Sequence, residues 1–362
     1  MKYIIDISKL KKFDIVLTRS KHLRSKAIRY FSEGDYSHAL ICVSDFSLIE
    51  ATVKGRVFSE NPQRLIFKNI DDCKVLRYKG TLNQEDQSQI ELFLRSQIST
   101  LYSIKEAVRT KKYETTDEEA QEAGQFCSRL VAQAFNHVDI NLVTNPNYCS
   151  PENLNSSELL ETVPDIIRIA TEEEIAFSKT KSQIKENQIQ NYLWLDNVVK
   201  LAKKEKFIIL NQDDVGLFLI KHPQYDKQVC KFIKNTNYLG QYKQDEVVNP
   251  PRYKYSSSAS LDILTELKIN HNVINRHLIS YARSCDNYHK TKLNYCLLLK
   301  NLYKNLLQQG NTRLNVLIRY INRELLIGNG NKEELSELVE EIQSLQKNIR
   351  KIFMQDGHKE YL

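Results

Sequence analysis

Glycine and proline are scarce in this chain, 10 and 7 among 362 residues, so tight turns must be few and long helices many. Long apolar runs are missing as well. No stretch approaches the roughly 18 consecutive apolar residues of a membrane-spanning helix. The opening "MKYIIDISKLKKFDIVL" is interrupted by Asp6, Lys9, Lys11, Lys12 and Asp14, charges that the core of a signal peptide would not tolerate. Cysteine numbers only seven, an odd count without paired spacing, which reads as free thiols in a reducing compartment and places the chain in a cytoplasm, with non-classical export left open. Internal repeats, a glycine-rich phosphate loop and a dinucleotide-binding fingerprint are all lacking.

What is present is ordinary globular material, 41% hydrophobic and 9% aromatic, in a chain long enough for two or three domains. The net charge of +7 is modest and weighted toward the C-terminal part. Its lysines are scattered between acids, so nucleic acid is not expected as a partner, whereas contact with a membrane surface or a protein is compatible with it.

The first part mixes strands and helices. "FDIVLTRS" (13–20), "SHALICV" (37–43), "SLIEATV" (47–53) and "CKVLRYKG" (73–80) are short, β-branched and bounded by turn formers, as strands are. Asn83 is placed to cap a helix whose face carries Ile90, Phe93, Leu94 and Ile98, and a second helix should start between Gly124 and Cys127 and carry "CSRLVAQAF". The charged run at 110–123 between them fits a solvated helix face or a flap beside a site. Polar residues 178–190 look like a connector, and "VNPPRYKYSSSAS" marks a second boundary. The expected organisation is therefore 1–178, a mixed but mainly helical 187–250, and a helical bundle over 258–362. In the last helix Asn331 and Glu334 have the spacing of a capping box. Leu335, Leu338, Ile342, Leu345, Ile349 and Ile352 then form a heptad seam, suited to antiparallel packing within a bundle or to a partner.

The chemistry starts from His38, which heads an otherwise apolar strand. A hairpin between 37–43 and 47–51 with the three-residue connection Val43-Ser44-Asp45 would set His38 directly opposite Glu50. A connection of two or four residues would put them on opposite faces unless a bulge intervened. Glu50 would be costly if buried unpaired, so each residue answers the other's need: the carboxylate accepts from one ring nitrogen and leaves the other free. A base needs a nucleophile. Cys127 begins a helix, where backbone N–H groups and the positive dipole end favour a thiolate, and Leu130, Val131, Ala134 and Phe135 anchor that helix below it. His137 cannot serve it, because ten residues of helix hold it roughly 15 Å away.

The succession "DIVL", "SHALI", "LIEA" and, after a helical insert, "FCSRLVAQAF" resembles the permuted papain-like hydrolases of the NlpC superfamily, the YiiX-type enzymes, over about residues 10–165. The resemblance implies an α+β fold, with a circularly permuted papain-like domain whose small antiparallel sheet packs on helices, ahead of a mostly helical C-terminal region. It implies Cys127 as nucleophile, His38 as general base and Glu50 as orienting third member. Tyr102 stands where the family has a tyrosine near the substrate, and "NYCSPENL" around Pro151 resembles the Ser/Thr-Pro segment that follows the cysteine helix. Phe13 departs from the pattern, standing where the family has a turn-forming glycine.

The expected function is cleavage or transfer of an acyl group from an amide, ester or thioester, in a peptide or a lipid, through an acyl-enzyme on Cys127. The oxyanion would be held by the Cys127 backbone N–H and by Gln125 or Tyr102. The helical C-terminal region would dock a protein partner or a membrane surface. No cofactor or metal is called for: Cys285 and His289 share a helix face with Cys296, but one ion could reach only the first two, and Cys42 reads as core. Two other functions compete, an inactive papain-like scaffold and an effector or toxin that modifies another protein. The geometry of Cys127 and His38 discriminates the first from an enzyme.

Overall fold

The structure is a computed structural model that describes residues 1–19, 34–44, 47–52, 55–113, 124–329 and 331–357. It is an α+β fold with antiparallel sheets and a helical C-terminal region. In chain order the elements are β1 (Tyr3–Ile5), β2 (Ile15–Thr18), β3 (His38–Ser44), β4 (Ser47–Ala51), β5 (Val57–Glu60), β6 (Cys73–Tyr78), α1 (Gln84–Ser96), α2 (Ile104–Tyr113), α3 (Cys127–Asn136), α4 (Pro151–Asn155), β7 (Leu160–Thr162) and β8 (Ile167–Ile169). Helices follow: α5 (Glu172–Lys179), α6 (Gln183–Lys204), α7 (Asp213–Lys221), α8 (Asp226–Lys234), α9 (Gln244–Val248), α10 (Ile263–Thr291), α11 (Asn294–Ile327) and α12 (Lys332–Gln355). Residues 114–123, most of the charged run, lie outside the described residues.

The chain divides into two compact units, one of Met1–Ile189 with Ile208–Asp214 and one of Gln190–Phe207 with Val215–Leu362. In the first, six strands pair antiparallel in the order β5-β4-β3-β2-β6-β7, and β1 pairs with β8 in a separate ribbon. The four strands expected from sequence are all present as β2, β3, β4 and β6. Strand alternation sorts the large sheet into two apolar faces. Ile15, Leu17, Ala39, Ile41, Val43, Ile49 and Ala51 meet Ile90 and Leu94 of α1 and Leu130, Val131, Ala134 and Phe135 of α3. Val16, Leu40, Cys42, Leu48 and Val75 meet Ile5, Leu10, Phe67, Val163 and Ile166 on the other side. Cys42 is core, as its position mid-strand suggests. Phe13 adopts φ 70, the left-handed conformation that glycine takes freely, with its ring buried and its N–H on the Cys42 carbonyl at 2.7 Å, so it makes a turn of the kind a glycine would serve.

The hairpin register differs from the expected one. Ser44 pairs with Ser47, so the connection is the two residues 45 and 46, which lie outside the described residues, and a bulge between Cys42 and Ser44 follows. The bulge restores the side-chain parity that a two-residue connection would have inverted. Glu50 consequently opposes Leu40 rather than His38, and His38 stands one pair further along on the same face, diagonal to Glu50.

In the second unit α10, α11 and α12 share one core built from Leu267, Ile274, Tyr281, Leu307, Leu314, Leu317, Ile321, Ile342, Leu345, Ile349 and Phe353. Leu335, Leu338 and Ile352 pack against it, so the heptad seam of the last helix is spent inside the bundle. Asn331 caps α12 through the Glu333 N–H at 3.0 Å, without the reciprocal contact from Glu334 that the spacing suggested. Within this unit α8 supplies what α11 lacks. Leu293 precedes α11 and offers no oxygen; the buried Asp226 carboxylate of α8 accepts instead from the N–H groups of Asn294 at 2.8 Å and Tyr295 at 2.9 Å. Asp226→Ala should therefore destabilise this unit by about 1–2 kcal/mol, read as a lower urea midpoint in the fluorescence of Trp194, the one tryptophan of the chain, whose ring lies 6.4 Å from that of Tyr295; Asp226→Asn, which keeps an acceptor, should lose less.

Candidate active site

Three elements converge on Cys127. The α3 helix crosses the sheet face of β3 and β4 with its N-terminus at the start of β3, so its first residue meets the first residue of that strand. The sulfur takes hydrogen bonds from the backbone N–H groups of Ala39 and Ser128 and interacts with the His38 side chain. The His38 Nε2 is hydrogen-bonded to the Glu50 carboxylate, which leaves Nδ1 for the thiol. Cys127 is 3% exposed and Glu50 7%, while 22% of the His38 side chain remains open. All three residues expected to carry catalysis are thus brought together.

The electrostatics follow from this burial. Desolvation acts to raise the Cys127 pKa, but the His38 charge and hydrogen bond and the two backbone N–H groups outweigh it, and the thiol is held below its ordinary value of 9.0. For His38, desolvation acts to lower the pKa; the Cys127 sulfur and the Glu50 carboxylate overcome it and raise the ring to about 10. The arrangement therefore favours a thiolate facing an imidazolium, each ion made tolerable by the other.

Tyr102 and Gln125 are brought beside the site by one short backbone bridge. Gln125 N–H donates to Leu101 O and Ser103 N–H to Gln125 O, both at 2.9 Å. The partly buried Tyr102 ring packs on the core that contains Cys127, and burial followed by the nearby sulfur pushes its phenol pKa up, so it is a neutral O–H donor. Gln125 points elsewhere. Its Nε2 donates to Gln97 Oε1 at 3.0 Å and Gln133 Oε1 at 2.8 Å, so the side-chain amide is engaged in a ladder rather than directed at the sulfur. Of the two oxyanion donors considered from sequence, Gln125 is thus the one whose side chain is already committed elsewhere.

A buried ion pair beneath the site was not foreseen. Arg129 is 1% exposed and Glu106 0%, and their side chains meet at 2.9 Å. Tyr148 Oη donates to the same carboxylate at 2.6 Å. The guanidinium also donates to Asn147 O at 2.6 Å and Gly124 O at 3.1 Å, and lies over the rings of Phe126 and Tyr148. Nothing in "CSRLVAQAF" marks Arg129 as buried, since a charge in the first turn of a helix normally faces water.

Cys285 and Cys296 do not share a site. Cys285 sits near Tyr281 and Asp356, and Cys296 receives the Thr291 hydroxyl at 3.7 Å. Among the described residues no group of three or more His, Cys, Asp or Glu side chains is arranged to hold a metal ion, and no helix is long and apolar enough to cross a membrane.

No protein-family model matches the chain, and no curated protein does. Among solved structures, the metalloprotein YiiX from Escherichia coli O157:H7 is similar at 18% identity and a TM-score of 0.32, over 43% of this chain and 97% of that one. So distant a likeness has no bearing on the chemistry, which rests on the side chains themselves.

The ion pair has a direct readout. Because the Cys127 pKa is lowered and that of His38 raised, the midpoint of iodoacetamide alkylation in the native protein should lie below the ordinary thiol value of 9.0. In His38→Gln the imidazolium is gone and desolvation is unopposed by charge, so the midpoint of the alkylation profile should move upward. An unchanged profile in that variant would contradict the ion pair.

Proposed function

We propose that the protein is a cysteine hydrolase or acyltransferase of the permuted papain-like kind, cleaving an amide, ester or thioester through an acyl-enzyme on Cys127. The observation that carries this reading is the His38 ring held between the Glu50 carboxylate and the Cys127 sulfur, with one nitrogen for each.

The thiolate attacks the carbonyl carbon, a C–S bond forms and the π electrons move onto oxygen. The Cys127 backbone N–H, in the first turn of α3, and the Tyr102 hydroxyl are the donors for that oxyanion. The tetrahedral intermediate collapses as the His38 imidazolium gives its Nδ1 proton to the departing nitrogen, oxygen or sulfur. Neutral His38 then takes a proton from water or another acceptor as it attacks the acyl-enzyme, and Cys127 departs as the thiolate. Glu50 keeps its own charge throughout. It holds the ring by Nε2–H, so that Nδ1 stays on the sulfur side, and it stabilises the imidazolium.

Retention of all three groups in contact favours an enzyme over an inactive scaffold, because a scaffold would gain nothing from burying two opposite charges at a strand end. The test is to incubate native protein and Cys127→Ala with cell extract and search by mass spectrometry for an acyl adduct on Cys127, with p-nitrophenyl acetate as a generic acyl donor beside it. An adduct and ester turnover confined to the native protein are expected, and Glu50→Gln should lose on the order of a hundredfold or more in turnover. Undiminished turnover in Cys127→Ala would overturn the assignment.

A further inference from the structure

The Tyr102 phenol and the Cys127 sulfur belong to a closed ring of bonds. From Tyr102 the chain passes through Ser103 into α2, whose first turn carries Glu106; from Cys127 it passes into α3, whose first turn carries Arg129. The two residues Tyr102 and Gln125 are joined by the backbone bridge, and Glu106 and Arg129 by their ion pair. Arg129 further grips Gly124 O, at the start of the bridge, and Asn147 O. Ser103 Oγ accepts from the Glu106 N–H at 3.3 Å, which ties the first turn of α2 back to the same bridge. Gly124 itself is confined: at φ +159 an added Cβ would lie 3.0 Å from Ser103 Cβ and 3.2 Å from Leu101 O.

We propose that Arg129 and Glu106 are positioning residues for the acyl-transfer reaction, closing the ring that sets the Tyr102 hydroxyl at its working distance from the Cys127 sulfur. The inference rests on the reading of Cys127 as nucleophile and Tyr102 as oxyanion donor. Neither member of the ion pair touches the reacting atoms. Their fork geometry matters more than their charge, because Arg129 must reach the Glu106 carboxylate and two backbone carbonyls at once, which the single ammonium of lysine cannot do.

Two reagents separate this role from a merely structural one. Iodoacetamide reports only the thiolate, whereas acylation by p-nitrophenyl acetate develops an oxyanion and so also reports the donor. Arg129→Lys keeps a cation beside Glu106, and the doubly neutral Glu106→Gln/Arg129→Gln protects the result if the single variant folds poorly. In whichever of these retains the native thermal midpoint, acylation should fall by about a hundredfold while iodoacetamide alkylation and its pH profile stay within about twofold. Adding Tyr102→Phe to that variant should cost little more, although Tyr102→Phe alone should be as slow as the variant, since both remove one interaction. Equal loss of acylation and alkylation, or full additivity with Tyr102→Phe, would overturn the inference. A native protein whose Cys127 is not acylated at all would instead sink the reading of the site on which it rests.

Discussion

Burial of charge inside the fold is the constraint around which the first unit is organised. Cys127, Glu50, Glu106 and Arg129 are each less than one-tenth exposed. An isolated ion at such a place would cost several kcal/mol and would shed its charge instead. The fold answers with two local solutions a few residues apart on the same helix. Above, Cys127 and His38 are joined to Glu50; below, Glu106 takes both Arg129 and Arg109 together with Tyr148, and Arg129 donates to two backbone carbonyls besides. Each pair bonds elements distant in sequence, so losing one partner would free a loop or helix end as well as expose a charge.

The residues of the site were legible in the sequence because the two periodicities that matter are short-range. Parity along a strand puts His38 and Glu50 on one face, and position at a helix start puts Cys127 where backbone N–H groups point outward. Their register was not legible. The bulge between Cys42 and Ser44 turns a two-residue connection, which by itself would have divided His38 from Glu50, into one that keeps them together. Side-chain direction escaped the sequence for the same kind of reason: Gln125 lies two residues from Cys127, yet its amide is drawn to Gln97 and Gln133, partners 28 and 8 residues away. Arg129 and Glu106 escaped it altogether, since charged side chains look solvated until a partner from another helix covers them.

The helical region shows the same division. The seam of the last helix, the antiparallel bundle and the Asn331 cap follow from local spacing. The capping of α11 does not, because it depends on a carboxylate of α8 ending against the bare N-terminus of α11, a contact that spans 68 residues and has no periodic signature.

How the thiolate is held decides which part of the fold the chemistry depends on. A helix N-terminus contributes about 0.3–1 kcal/mol to a nearby anion, rising to about 2 in partly buried geometry. Each charge-assisted hydrogen bond from Ala39 or Ser128 adds about 1.5–3 kcal/mol. Against these stands a desolvation cost of several kcal/mol for the buried anion, and desolvation is the largest single influence on the Cys127 thiol. The His38 charge is the largest influence opposing that desolvation, ahead of the Ala39 and Ser128 N–H groups, so the lowering of the thiol pKa depends mainly on the imidazolium. The imidazolium in turn is opposed by its own desolvation and is sustained by the sulfur and by Glu50. The lowered thiol pKa of Cys127 therefore owes less to its place at a helix start than to the β3–β4 hairpin, which through one bulge delivers a charged ring to it.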